Sequence, residues 1–200
     1  MSEVRATTRA QAIATASALV AGLLLPGGAR AASRAGGDRQ IVRRLLLLEH
    51  LQEAFYTEAE RIGALTGASA AAVEILGGVE RAHVAALRQL AGSAAPKRPR
   101  FDFRGTTEAD ATFARTAVSL EELTVAGTTA QLARVRSAEV LQAVVEIHTV
   151  EARHAAWMRS VAGMPPAPDA FDAPGDGEVP ARFLDIRPHT VARRAPSFPA

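Results

Sequence analysis

The chain has no cysteine, and among its 200 residues there is one lysine, one tyrosine and one tryptophan; aromatics make up only 4%. Without cysteine there is no disulfide, no thiolate metal ligand and no thiol nucleophile. The scarcity of aromatics weakens the case for strands. The apolar share of 48% is mostly alanine, leucine and valine, set among glutamate and arginine, and this mixture favours helices. No stretch interleaves basic residues with aromatics, so nucleic acid is not an expected partner. The formal charge of +2 belongs to the N-terminus: without residues 1–31, which hold Arg5, Arg9, Arg30 and Glu3, acids and bases balance. Twenty-two arginines against one lysine read as the codon usage of a GC-rich genome, not as a phosphate-binding device.

Long hydrophobic runs are also missing. The longest, residues 12–25, falls short of the ~20 residues that span a bilayer. Arg5 and Arg9 precede it and Ala29-Arg30-Ala31 follows, which is the layout of a cleavable export signal over residues 1–31. A short N-terminal helix is the alternative. The expected mature chain starts at Ala32, is exported to the periplasm, cell envelope or exterior, and carries no transmembrane anchor. Adjacent arginines, the mark of a twin-arginine signal, are absent from this segment.

Four helices are predicted downstream, giving an all-α fold. The first covers about 38–62, with Ile41, Leu45, Leu48, Gln52, Phe55, Ala59 and Ile62 at helical spacing. The second covers about 69–90 and contains Gly77-Gly78, each costing about 1 kcal/mol relative to alanine. The third opens at Thr107, a plausible N-cap with Asp110 three residues on, and continues to about 129–132. The fourth runs over about 137–161 and is stopped by Gly163 and Pro165-Pro166. The link between the second and third, residues 93–106, can extend to about 46–50 Å, against about 36 Å for a 24-residue helix. It can therefore cross the length of a four-helix bundle spanning 38–164. Residues 165–200 hold most of the eleven prolines and no helical period, so they are expected to be a tail dispensable for the bundle.

Two Glu-x-x-His motifs carry the chemistry: Glu80-Arg81-Ala82-His83 and Glu151-Ala152-Arg153-His154. Residues three apart on a helix share a face, so each motif aims a carboxylate and an imidazole at one point. Glu49 precedes Glu80 by 31 residues and Glu121 precedes Glu151 by 30, so the two halves of the chain repeat one arrangement. One glutamate from each of two helices, with a Glu-x-x-His from each of the other two, is the inward-facing ligand set of di-iron and di-manganese carboxylate bundles. Four buried carboxylates would repel one another if bare, and two divalent cations would cancel their charge. Ligation by oxygen and nitrogen without sulfur suits iron or manganese.

The runs Leu48-Glu49-His50-Leu51-Gln52-Glu53-Ala54-Phe55-Tyr56, Phe101-Asp102-Phe103, Leu120-Glu121-Glu122, Val150-Glu151-Ala152-Arg153-His154-Ala155-Ala156 and Pro166-Ala167-Pro168-Asp169-Ala170-Phe171-Asp172 resemble the ferritin-like domain proteins of the bacterial and plant desiccation-related type, over about residues 38–175. The resemblance implies a ferritin-like bundle with one long crossover between helices 2 and 3. It maps the metal positions onto Glu49, Glu80, His83, Glu121, Glu151 and His154, with a dinuclear iron or manganese cofactor. In related bundles a tyrosine follows the first-helix glutamate by seven residues, and Tyr56 stands there; the equivalent after Glu121 is Thr128, a departure.

Other residues admit two readings. Glu122 competes with Glu121. Glu53 lies one turn from Glu49 and is read as exposed or supporting. His148, three residues before Glu151, is either packed or orients a ligand. His50 and His189 are read as surface residues and Trp157 as bundle core. Tyr56 is either an electron donor or a buried hydroxyl bonded to a carboxylate. The function implied is metal oxidation, or protection against oxidative or desiccation stress with dioxygen or peroxide as reactant. The alternatives are a non-catalytic protective bundle and peroxide dismutation of the manganese-catalase kind.

Overall fold

A computed structural model describes residues 28–184, with side chains described from residue 36 onward. Four helices form the bundle: α1 (Gly28–Ile62), α2 (Gly67–Ala91), α3 (Asp110–Leu132) and α4 (Ala138–Val161). No strand occurs among the described residues; Phe101 and Leu184 form a single antiparallel bridge. α1 packs mainly on α2 and α3 mainly on α4, and the two hairpins face each other through α1 against α3 and α2 against α4.

Two carboxylates tie the ends of the bundle. Asp110 accepts from the Thr66 backbone N–H at 3.0 Å and from its hydroxyl at 2.7 Å, joining the start of α3 to the α1–α2 turn. At the other end Asp38 accepts from the backbone N–H of Arg136 (3.0 Å) and Ser137 (2.6 Å) at the α3–α4 turn. Leu90 and Ala91, at the end of α2, border the same cavity as Asp38 and Ser137. The segment after α2 therefore crosses the whole bundle to reach α3, as its length predicted.

Boundaries differ from expectation where a polar side chain serves a neighbour instead of its own helix. α3 starts at Asp110, not Thr107: Thr107 is buried and its hydroxyl donates to Glu58 at 3.1 Å. α1 starts at Gly28, ahead of Asp38, because the Ala- and Arg-rich residues before Gly36 favour helix and Asp38 is engaged by the α3–α4 turn. Residues 1–27, most of the expected export signal, lie outside the described residues, as does His189.

α2 continues through Gly77-Gly78. A Cβ on Gly77 would sit 3.2 Å from the Cβ of Tyr56, so the missing side chain lets α2 lie close against α1. The tail, expected to be dispensable for the bundle, packs against it over its described residues. It crosses α3 backbone to backbone, where a Cβ on Gly127 would meet the Gly177 Cα at 2.9 Å, and Gly175 N–H donates to the Ala126 carbonyl at 3.0 Å. Beyond this crossing Phe183 is only 4% exposed and lies beside Phe103, ring centroids 5.9 Å apart. Phe171, by contrast, is 89% exposed.

The core falls into two apolar clusters along the bundle. One gathers Phe55, Tyr56, Leu76, Phe103, Phe113, Met158 and Phe183. The other gathers Ile41, Leu45, Leu46, Leu48, Leu87, Val140, Val144 and Ile147. Trp157 packs only partly buried against the first cluster, and Met158 fills the core instead. At 100° per residue, Met158 follows Glu151 by seven residues, about two turns, and so returns to the inward face that Trp157 has left. On every helix the stretch between the two clusters is polar.

Candidate metal centre

That polar band holds Glu49 on α1, Glu80 and His83 on α2, Glu121 on α3, and Glu151 and His154 on α4. All four carboxylates are fully buried, and both imidazoles nearly so. The helical pattern puts them there: each occupies a position in its helix's apolar stripe, so packing the stripes inward brings all six together.

They form two overlapping groups. Glu49, Glu80, His83 and Glu151 each offer a ligand atom within 4.8 Å of the others', and so do Glu80, Glu121, Glu151 and His154. Glu80 and Glu151 belong to both. His83 Nδ1 lies 3.2 Å from Glu49 Oε2, 3.4 Å from Glu80 Oε2 and 3.1 Å from Glu151 Oε1. His154 Nδ1 lies 2.9 Å from Glu80 Oε1 and 3.7 Å from both Glu121 Oε2 and Glu151 Oε1. The two rings are 6.2 Å apart, inclined by 26°.

Proximity does not make these contacts into a satisfied hydrogen-bond network. Glu49 Oε1, both oxygens of Glu80, Glu151 Oε1 and His154 Nδ1 are buried with no aligned hydrogen-bond partner. Orphaned polar atoms of this kind are rare and costly in folded proteins. Without cations, protons must carry the balancing charge. Burial and the charge of Glu151 push Glu49 and Glu121 well above the usual carboxylate range, and the same causes push Glu80 up to about 7. Against the pull of burial, the acceptor oxygens of Glu151, Glu49 and Glu80 beside its ring push His83 up to about 12. The neighbouring carboxylate of Glu121 raises His154 in the same direction. Glu151 alone is lowered: burial opposes its charge, but His83, His154 and Gln52 outweigh it. Five orphan donor atoms, all oxygen or nitrogen, converging in two four-residue groups are a fit for metal ions, and two divalent ions match four carboxylates in charge.

A family model for the ferritin-like domain matches residues 37–164. The chain belongs to the ferritin-like family. A search of curated proteins found no match. The ferritin-like domain thus spans all four helices and every residue of the polar cluster.

Around the six residues the alternatives resolve. Glu121 faces the cluster, whereas Glu122 pairs with Arg159 toward solvent. Glu53 pairs with Arg98 of the crossover at 2.8 Å. His50, expected on the surface, is only 3% exposed, with both ring nitrogens unpartnered. Burial is also what moves its pKa below the ordinary value, and Glu53, Arg98 and Arg88 are the charged groups acting on it. The Thr128 hydroxyl lies 2.8 Å from the Thr124 carbonyl and 2.8 Å from His148 Nδ1. His148 thus bonds Thr128, one turn from the cluster.

Tyr56 is fully buried and its hydroxyl donates to Glu121 Oε1. Burial and the neighbouring carboxylate charges push its pKa well above the ordinary phenol value. Gln52 and Thr124 are the participants that sequence reasoning missed. Gln52 was read only as part of the apolar spacing of α1, yet it donates to Glu121 Oε2 at 2.6 Å and to Glu151 Oε2 at 3.0 Å. The available signal was a polar residue in an apolar stripe, which must find partners inside the core. Both residues also stand three places after a cluster glutamate.

Proposed function

We propose that this protein is an exported ferritin-like protein that holds two iron or manganese ions and serves in metal oxidation or in protection against oxidative or desiccation stress. One observation carries the reading: two buried four-residue groups share Glu80 and Glu151 and leave carboxylate oxygens without partners. In it Glu80 and Glu151, which belong to both groups, would help hold both ions, Glu49 and His83 would hold one, and Glu121 and His154 the other. Bound iron or manganese would supply one-electron chemistry toward dioxygen or peroxide.

The chain's own residues supply the setting. Apolar clusters on both sides of the band keep bulk water from the carboxylates, so charges there act at low dielectric. Tyr56 is the candidate electron donor. Glu121 Oε1, which accepts its hydrogen bond, would receive the phenolic proton that oxidation releases.

Metal analysis of the protein purified from its native compartment tests this directly. About two iron or manganese ions per chain are expected, and a chain isolated without either would refute it. A diferric site also absorbs in the near ultraviolet, and oxygen evolved from added peroxide would assign peroxide dismutation. Mass spectrometry of the mature protein should find Ala32 at the N-terminus; an intact Met1 would refute export by cleavage.

A further inference from the structure

The two halves of the centre are alike in ligands but not in what holds those ligands. Gln52 is fully buried, and in a loaded centre its amide orientation is dictated: two ionised carboxylates can only accept, so its NH2 group faces them. Its Oε1 accepts from the Thr124 hydroxyl at 2.6 Å, which closes the network. Gln52 thus spends both amide protons, one on Glu121 and one on Glu151. Tyr56 engages the other oxygen of Glu121.

Each carboxylate oxygen has two lone pairs, so one that accepts a hydrogen bond can still bind a cation. The Glu121 side of the centre is therefore fixed from behind without being blocked. Glu49, on the opposite side, meets His83 through Oε2 and lies against its fellow ligand Glu80, but its Oε1 accepts no hydrogen bond. Among the described residues nothing equivalent to Gln52 reaches it. The repeat in the chain puts Gln52 three residues after Glu49 and Thr124 three residues after Glu121. Yet Gln52 reaches across to the partner half's glutamate, and Thr124 serves only to hold Gln52.

Building on the metal reading above, we propose that Gln52, latched by Thr124, is a positioning residue that makes the two metal positions unequal. The Glu80, Glu121, Glu151 and His154 position is preorganised and fills first; the Glu49, Glu80, His83 and Glu151 position fills second. Partners behind metal ligands fix ligand orientation, and their loss typically costs about 10–100-fold in metal affinity.

Manganese(II) titrated into the metal-free full chain, followed by calorimetry and by the EPR signal of free ion, tests this. Wild type should bind two ions in two resolved steps. His154→Ala should abolish the tighter step and His83→Ala the weaker. Gln52→Leu should weaken the tighter step by about 10–100-fold and merge the two. Thr124→Val, nearly equal in shape, should weaken it less and carries the test if Gln52→Leu does not fold, with circular dichroism as the check. Two ions bound in wild type, with Gln52→Leu and Thr124→Val unchanged in both steps, would overturn the inference and leave the metal reading standing. Failure of wild type to take up manganese(II) or iron(II) would overturn both.

Discussion

Stripping metal from this bundle should reverse the way its stability depends on pH. In the metal-free protein Glu80 is raised from the ordinary 4.5 to about 7, and Glu49 and Glu121 are also raised well above the ordinary value by burial and by the Glu151 charge. A carboxylate with a raised folded pKa stabilises the fold fully below its unfolded pKa and loses that contribution as pH rises through the folded value. For Glu80 the window is therefore about pH 4.5 to 7, and the loss is roughly 3 kcal/mol at 1.36 kcal/mol per pH unit. His83, raised to about 12, adds a second decline above about pH 6.5, where the unfolded imidazole gives up its proton and the folded one keeps it. Glu151, lowered, acts in the opposite sense, its contribution disappearing only in acid. The metal-free protein should thus be most stable near pH 5. At roughly 2–4 °C per kcal/mol for a chain of this size, Glu80 alone, losing about 2 kcal/mol between pH 5 and pH 7, should lower Tm by about 4–8 °C. Loading the centre with manganese(II) should do the reverse, since the ligands bind only when deprotonated and stabilisation by metal grows with pH. Calorimetry in chelator and in excess manganese(II), at pH 5, 6, 7 and 8, measures both curves. A chelated protein whose Tm is flat or rises from pH 5 to 8 would refute the idea that protons replace cations among these carboxylates.

Glu80→Ala and Glu151→Ala should each lose most of both metals, because each side chain belongs to both groups; the exposed Glu74→Ala should retain both, all read by elemental analysis. Tyr56→Phe leaves Glu121 Oε1 without its donor and should cost about 1–3 kcal/mol by chemical denaturation. It should also abolish any tyrosyl radical signal seen by EPR after oxidation of the loaded protein. Phe183→Ala should cost about 3–5 kcal/mol, and a chain cut after Met164 should lose at least as much. Unchanged stability in both would mean that the tail lies on the bundle without supporting it.

How much of this was legible in the sequence depended on whether the information was periodic. Four helices, the long crossover and most of the clustered residues follow from spacing: Glu-x-x-His fixes a face, and the near-equal intervals from Glu49 to Glu80 and from Glu121 to Glu151 fix the depth, with the resemblance helping to choose Glu121 over Glu122. What spacing does not carry is which partner a side chain chooses across the bundle. Asp38 and Asp110 look like residues that start their own helices, yet each bonds the backbone at a neighbour's turn. His50 has the polarity of a surface residue and is buried. Phe183 sits in a proline-rich segment with no period, and only its size hinted that it would seek the aromatic cluster with Phe55 and Phe103.

The same distinction explains why the symmetry of the centre was visible and its asymmetry was not. An offset of 72 residues between Glu49 and Glu121, and of 71 between Glu80 and Glu151, makes the two halves look interchangeable. Two exchanges undo that equivalence: Tyr56 where the second half has Thr128, and Gln52 where it has Thr124. The exchange of a phenol for a hydroxyl gives Glu121 a donor from α1, while Thr128 turns back to its own helix at Thr124 and gives Glu49 none. The exchange of an amide for a hydroxyl is unequal in reach, and only the longer side chain can bridge to two carboxylates at once. Of the hydrogen bonds these exchanges bring to the six residues, two land on Glu121, one on the shared Glu151 and none on Glu49. A repeated ligand set with unrepeated supports has the chemical form of a centre whose two positions share a charge balance but not an affinity.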